Sequence, residues 1–158
     1  MKASVIYDSQ YGNTEKIAQA IGRALETQAE VSVFRVEQVR YGHLAGIDLL
    51  VVGSPTQRFN PTLALGNFLK SIPSQALKDV KVAAFDTRLA WEAIQTMPPL
   101  PFLERIFGYA ASRIGKLLQR KGGRLVTEPE GFFVEGMEGP LSAGELERAE
   151  IWAKKLFV

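Results

Sequence analysis

Cysteine is absent from this chain and histidine occurs once, as His43. Without cysteine there is no disulfide, no thiolate metal ligand and no thiol redox chemistry, a composition that suits a reducing cytosol. A single histidine does not assemble a transition-metal site. His43, in the stretch Tyr-Gly-His-Leu ahead of an apolar run, reads as a surface loop residue. No apolar run nears the ~20 residues that a spanning helix needs, and no cleavage signal follows the short amino-terminal run MKASVIYDS. A soluble, cytoplasmic protein is expected. Charge of one sign is also lacking: 19 Lys and Arg against 17 Asp and Glu leave a net charge of +2, too even a balance for nucleic-acid binding. The one local excess, Arg113, Lys116, Arg120, Lys121 and Arg124, has helical spacing and reads as a solvated face. The acids Glu128, Glu130, Glu135, Glu138, Glu145, Glu147 and Glu150 are too dispersed for a paired-carboxylate centre and read as surface.

What is present is core. Of the 158 residues 46% are apolar, enough for one domain over 1–158 and too short a chain for two. Strand-like and helix-like apolar periods alternate along it, the pattern of a parallel sheet covered on both faces. Residues 3–7, 31–36, 49–53 and 80–85 read as strands. Leu125 to Thr127 and Phe132 to Val134 read as two pieces of a fifth, interrupted by Glu128 to Gly131. Between them Ile17, Ala20, Ile21, Ala24 and Leu25 recur as a helical stripe. A later stripe joins Leu103, Ile106, Phe107, Ala110, Ile114, Leu117 and Leu118, and a closing helix uses Leu146, Ala149, Trp152, Ala153 and Leu156, with Ser142 and Glu145 as its capping box. The expected fold is a five-stranded doubly wound α/β domain, strand order 2-1-3-4-5, with its ligand site beyond the carboxyl ends of strands one and three.

The segment Ser9, Gln10, Tyr11, Gly12, Asn13, Thr14 lies where the first strand ends and the first helix begins. Unpaired first-turn N–H groups and the positive end of the helix dipole meet there, and an anion satisfies both. Gly12 and Asn13 both tolerate positive φ, and Ser9 and Thr14 bracket them with hydroxyls. The loop has no Lys or Arg, and its nearest cation in sequence is Lys16. Main-chain amides and hydroxyls would therefore grip a phosphate monoester. The Walker and dinucleotide glycine patterns do not match this loop.

These residues resemble a known family. The stretch VIYDSQYGNTEKIA, Val5 to Ala18, is similar to the flavodoxin signature, meeting it at the two leading apolar residues, Tyr7, Ser9, Gly12, Thr14 and Ala18. The resemblance implies a flavodoxin-like fold in which this loop holds the phosphate of flavin mononucleotide (FMN). It also implies that two further loops flank the flavin ring: Ser54, Pro55, Thr56, Gln57, Arg58, Phe59 and Asn60, then Asp86, Thr87, Arg88, Leu89, Ala90 and Trp91. A flat apolar ring needs faces to stack on, and Phe59, Trp91 and Tyr11 are the aromatic candidates. A guanidinium from Arg58 or Arg88 near the ring would stabilise negative charge on it.

Two departures from the family stand out. Flavodoxins are usually strongly acidic and meet basic reductases; this chain is not acidic. Residues 91–109, rich in proline and apolar side chains, are long for a strand-to-helix connection and look like an insertion, with Met97, Leu100, Phe102 and Phe107 in it. The segment could serve as a lid, an interface or a packed extension of the helix. The leading expectation is an electron carrier that binds FMN and serves a redox partner protein, with oligomeric state open. The alternatives are an FMN-dependent NAD(P)H oxidoreductase acting on a quinone-like or other small substrate, including one resembling the flavodoxin-type protoporphyrinogen oxidases, or a flavin-free binding module.

Overall fold

Continuous apolar runs without polar alternation suit strands covered on both faces, and the central strands here are of that kind. In a computed structural model that describes residues 1–90, 96 and 108–158, β1 (Lys2–Tyr7) and β3 (Leu49–Pro55) are buried along nearly their whole length. β2 (Glu30–Arg35), more exposed, is the edge beyond β1, and β4 (Lys81–Leu89) lies on the far side of β3. Two short strands, β5 (Arg124–Leu125) and β6 (Glu130–Val134), both pair with β4, completing an all-parallel sheet in the order β2-β1-β3-β4-β5. The expected order and the split last strand are both found. Register explains the split. Val82 faces Leu125 and Phe85 faces Glu130, so residues 126–129 oppose only two residues of β4, and Pro129 among them has no N–H for the ladder.

Successive strand residues point to opposite faces, and each face has its own helix pair. α1 (Asn13–Leu25) and α4 (Glu145–Lys154) cover one: Ile17, Ile21, Leu25, Ala149 and Trp152 pack with Val5, Val51 and Phe85. α2 (Leu63–Ser71) and α3 (Ala110–Arg120) cover the other, where Leu65, Leu69, Ile114 and Leu118 meet Ile6, Leu50, Val52 and Val82. The anticipated stripe of the later helix is confirmed from Ala110 onward; Leu103, Ile106 and Phe107, like Met97, Leu100 and Phe102, lie outside the described residues.

One close approach organises the first core. Phe85 is fully buried, edge-on to Phe132 and Trp152 at centroid distances of 6.1 and 6.3 Å. Its ring lies over Gly53 on the neighbouring strand, and a Cβ there would sit 2.0 Å from a ring carbon.

Several local expectations are corrected. Ser54 and Pro55 end β3, and Asp86 to Leu89 belong to β4, so these residues extend the sheet instead of forming loops. Ser142 is not the cap of the closing helix: Gly144, in the left-handed region, holds that position without a side-chain cap. Leu146 is exposed, outside the apolar stripe. Glu145 is buried, not a surface acid: it accepts from Phe133 N–H at 2.7 Å and pairs with Arg148 at 2.6 Å. Arg148 also reaches Glu130 at 3.1 Å and the carbonyl of Gly131, tying α4 to β6. Burial pushes the Glu145 carboxyl up, but the hydrogen bonds from Arg148 and Phe133 N–H outweigh it and leave the group below its ordinary value.

Two outcomes follow. Gly53→Ala loses about 1–3 kcal/mol in denaturant unfolding, the cost of overpacking a filled core. A lowered folded-state pKa makes Glu145 stabilising above its unfolded value of about 4.3, a contribution lost as pH falls through the folded value. The stability difference between wild type and Glu145→Gln is thus largest near neutral pH and shrinks as acid unfolding is followed below about pH 4.

Candidate functional site

The buried carboxylate of Asp8, the first residue after β1, organises the sheet end where the winding reverses. Asp8 N–H donates to Gly53 O at 3.1 Å, and its carboxylate accepts from Ser9 N–H at 2.8 Å and from the Thr62 hydroxyl at 2.6 Å. Thr62 is the N-cap of α2 and accepts from Leu65 N–H at 3.3 Å. Arg35, at the end of β2 and in register with Tyr7, donates to the carbonyl of Ser9 and lies 3.7 Å from Asp8. The loop thus has a supporting cation that its own sequence lacks; Lys16 is exposed.

Above that support the Ser9 to Thr14 loop turns into α1. Gly12 has φ 91°, which a side chain would strain, whereas Asn13 is already helical, so only one of the two anticipated positions uses positive φ. Ser9 Oγ accepts from Gly12 N–H at 3.1 Å and Glu15 N–H at 3.3 Å, holding the turn closed. Asn13 donates to the carbonyl of Glu138 at 3.1 Å, and Thr14 shares a 2.7 Å hydrogen bond with Thr87. Among the described residues nothing accepts from the N–H groups of Gln10, Tyr11, Asn13 or Thr14. Tyr7 anchors the helix start through a 2.9 Å hydrogen bond to Glu15; burial first, then that carboxylate, push its phenol up to about 12.

Beside the loop opens a cavity of about 930 Å³. Gln10, Tyr11, Asn13 and Thr14 line one end; Pro55, Thr56, Gln57, Arg58 and Phe59 form one wall, and Thr87 and Arg88 the other. Gln57 donates to Gln10 at 2.6 Å across the rim. Four anticipated residues do not line it. Ser9 and Gly12 shape the turn behind it. Ser54, fully buried, accepts from Thr62 N–H and donates to Pro55 O, both at 2.9 Å. Asp86, also fully buried, binds Arg88 through both oxygens at 2.7 and 2.8 Å and accepts from Ala111 N–H at 2.8 Å, capping α3. Burial pushes its carboxyl above the ordinary value, and the Arg88 hydrogen bonds and charge offset that only in part. The Arg88 guanidinium, only 16% exposed, also stacks 3.5 Å over the Tyr109 ring. Arg88 thus lines the cavity with its charge paired by Asp86. Trp91 lies outside the described residues.

Asn60 and Leu89, from the two expected loops, also line it; sequence reasoning missed Pro61, Leu63, Val134 and Met137 as lining residues, and Asp8, Arg35 and Thr62 as support. Asp8 carried a signal, as a carboxylate directly after a buried strand. Met137 carried none.

The turn at the cavity wall is strained. Gln57 and Asn60 exchange backbone hydrogen bonds at 2.8 and 2.9 Å, and the two residues between them, Arg58 and Phe59, have φ of 48° and 68°. This is a two-residue hairpin whose primed geometry calls for Asn-Gly. A phenylalanine there is an outlier, and such outliers gather at functional sites.

The sequence matches the flavodoxin family over residues 5–152. The chain belongs to that family. Among solved structures, flavodoxin 2 from Bacillus cereus aligns with a TM-score of 0.78 at 22% identity, covering 99% of this chain and 98% of that one. A flavodoxin from the domain Archaea gives 0.73 at 22%, covering 99% and 96%. Rubredoxin oxygen:oxidoreductase from Desulfovibrio gigas gives 0.75 at 16%, covering 98% of this chain but 35% of its own length. No curated protein matches the sequence. At these identities the structural likenesses speak for the fold, and family membership rests on the sequence match. Members of the flavodoxin family bind FMN, and the anion-ready loop of this flavodoxin stands where the first strand meets the first helix.

Replacing Arg58 and Phe59 together by Asn-Gly relieves about 1–3 kcal/mol of strain per position against about 1 kcal/mol for glycine's freedom in the unfolded chain. The double variant is expected to unfold at higher denaturant than wild type.

Proposed function

We propose that the chain, acting as one flavodoxin-like unit, binds one FMN noncovalently and carries electrons to or from a redox partner protein. The observation that carries this reading is the set of unsatisfied amide N–H groups of Gln10, Tyr11, Asn13 and Thr14 at the head of a 13-residue helix, opening into the cavity. A phosphate monoester supplies the acceptors those donors lack. The cavity volume falls within the range of about 300–1,000 Å³ usual for small-molecule sites. The residues present therefore fit FMN.

In this reading the Thr14 hydroxyl joins the loop amides around the phosphate, Ser9 holds the turn behind them, and Arg35 adds positive potential from behind. Phe59 and Tyr11 offer flat faces for the ring, and Trp91 is a third candidate from the sequence. Leu89, Val134 and Met137 keep the ring site apolar. Bound there, FMN supplies reversible electron storage; the protein's part is binding, orientation and the local field. Because Asp86 neutralises Arg88, the remaining cation on the lining is Arg58, which forms no ion pair among the described residues. The cysteine-free composition suits work in a reducing cytoplasm.

Purified protein is expected to be yellow, and flavin-stripped protein to quench added FMN fluorescence at one-to-one stoichiometry. Riboflavin, lacking the phosphate, forgoes several charge-assisted hydrogen bonds worth about 1.5–3 kcal/mol each and binds at least about a hundredfold more weakly. Equal affinity for the two flavins, or uptake of neither, rejects the proposal. Under anaerobic NADPH the bound flavin is expected to stay oxidised until a reductase is added; direct bleaching would instead identify an NAD(P)H oxidoreductase.

A further inference from the structure

The cations singled out in the sequence as a solvated helix face have a more specific arrangement. Between α2 and α3 runs a groove of about 870 Å³, and Lys70, Arg113, Lys116 and Arg120 line it. Among the described residues no carboxylate lines it and none of the four forms an ion pair. The sequence shows why. There is no Asp or Glu between Asp48 and Asp79, nor between Glu104 and Glu128, so both helices are free of acids. The helices on the opposite face of the sheet hold Glu15, Glu145, Glu147 and Glu150. A net charge of +2 therefore conceals two neighbouring helices, α2 and α3, whose charged side chains are all cations.

The groove also has an address. Asn60, Pro61 and Leu63 line both it and the cavity read above as the flavin site. Leu63, the first residue of α2, is 80% exposed on that shared rim. A body seated on the groove covers Leu63 and comes against the cavity mouth. The cations span about 10 Å along α3, by the 1.5 Å rise per residue, and continue onto the neighbouring helix. They are exposed or half-buried. Charges spread over two helices beside an exposed leucine describe a surface that steers a macromolecule, not a pocket that grips one phosphate.

We propose that the α2/α3 groove is the docking surface for an electron-transfer protein of acidic surface. The proposal rests on the flavin reading above, and its occupant is chosen by charge complementarity. Like-charge repulsion at the same surface turns away a basic partner.

The test uses two haem proteins as probes: the soluble domain of cytochrome b5, whose surface is acidic, and cytochrome c, whose surface is basic. FMN-loaded protein is reduced with dithionite, freed of excess reagent and mixed with either probe by stopped flow. Each haem iron going from Fe(III) to Fe(II) takes one electron from the reduced flavin. Three results are expected. The second-order rate with cytochrome b5 falls at least about tenfold between about 20 mM and about 500 mM NaCl. Lys116→Glu/Arg120→Glu lowers that rate about tenfold at low salt and raises the rate with cytochrome c. The neutral pair Lys116→Gln/Arg120→Gln falls between, with FMN affinity unchanged in both variants. An acidic-probe rate indifferent to salt and to charge reversal overturns the proposal.

Amide chemical-shift titration of the protein as purified, with cytochrome b5, separates the two readings. Shifts on α2 and α3 without any flavin uptake support docking and reject the FMN reading, whereas flavin uptake with no such shifts rejects docking. Salt-sensitive self-association in sedimentation would assign the groove to a second copy of this chain, and shifts there with NADPH alone would assign it to a nucleotide; either overturns the proposal.

Discussion

A carboxylate buried at the end of β1 sets the terms for the rest of the site. Burying an ionised group is unfavourable by several kcal/mol unless it is fully hydrogen-bonded and paired. Asp8 meets that requirement with two hydrogen-bond donors, Ser9 N–H from its own loop and the Thr62 hydroxyl from the start of α2, and with the charge of Arg35 at the end of β2, 3.7 Å away. Satisfying one side chain thus draws three separate chain segments to the carboxyl edge of the sheet. The cavity opens beside that convergence, at the crevice that a doubly wound sheet leaves where its winding reverses.

The second buried carboxylate works the same way and has an electrostatic consequence. Asp86 caps α3 and holds Arg88 in a bidentate pair, so a cation that would otherwise face the cavity is matched by an anion directly beneath it. Among the described residues, an amide-lined phosphate end, a paired Arg88 and one arginine without an ion pair, on a strained turn, distinguish this site from one ringed by acids. The charge that the site lacks is found outside it, on the acid-free helices α2 and α3. Separating the two leaves partner steering to the surface and local electronics to the cavity.

Most of the fold was legible because its signals are local. Apolar runs of strand length, the 3.6-residue stripe of α1 and the interrupted last strand all follow from which side chains must leave water. The phosphate loop was legible for the same reason: Gly12 supplies a left-handed residue and Ser9 a hydroxyl within one turn of the chain. Illegible were the places where two distant polar groups satisfy each other. Asp86 and Arg88 read as a loop, since alternation of charged residues is not expected inside a buried parallel strand, yet their mutual pairing makes that strand possible. Glu145 read as a surface acid because Arg148 and Phe133 N–H, its partners, meet it only after α4 lies on β6.

The chain by itself determined the alternation of strands and helices, the anion-ready turn and an acid-free pair of segments, since each depends on residues near one another in sequence; the sheet order followed from that alternation through the winding rule for parallel sheets. Tertiary structure alone decided which side chains face the cavity, which charges are cancelled and which stay free, and that the two acid-free segments lie side by side next to the site. Those outcomes depend on distances between residues tens of positions apart. Only packing against a common sheet sets such distances, because burial of apolar surface is non-directional and leaves the choice of neighbours to the shape of the whole core.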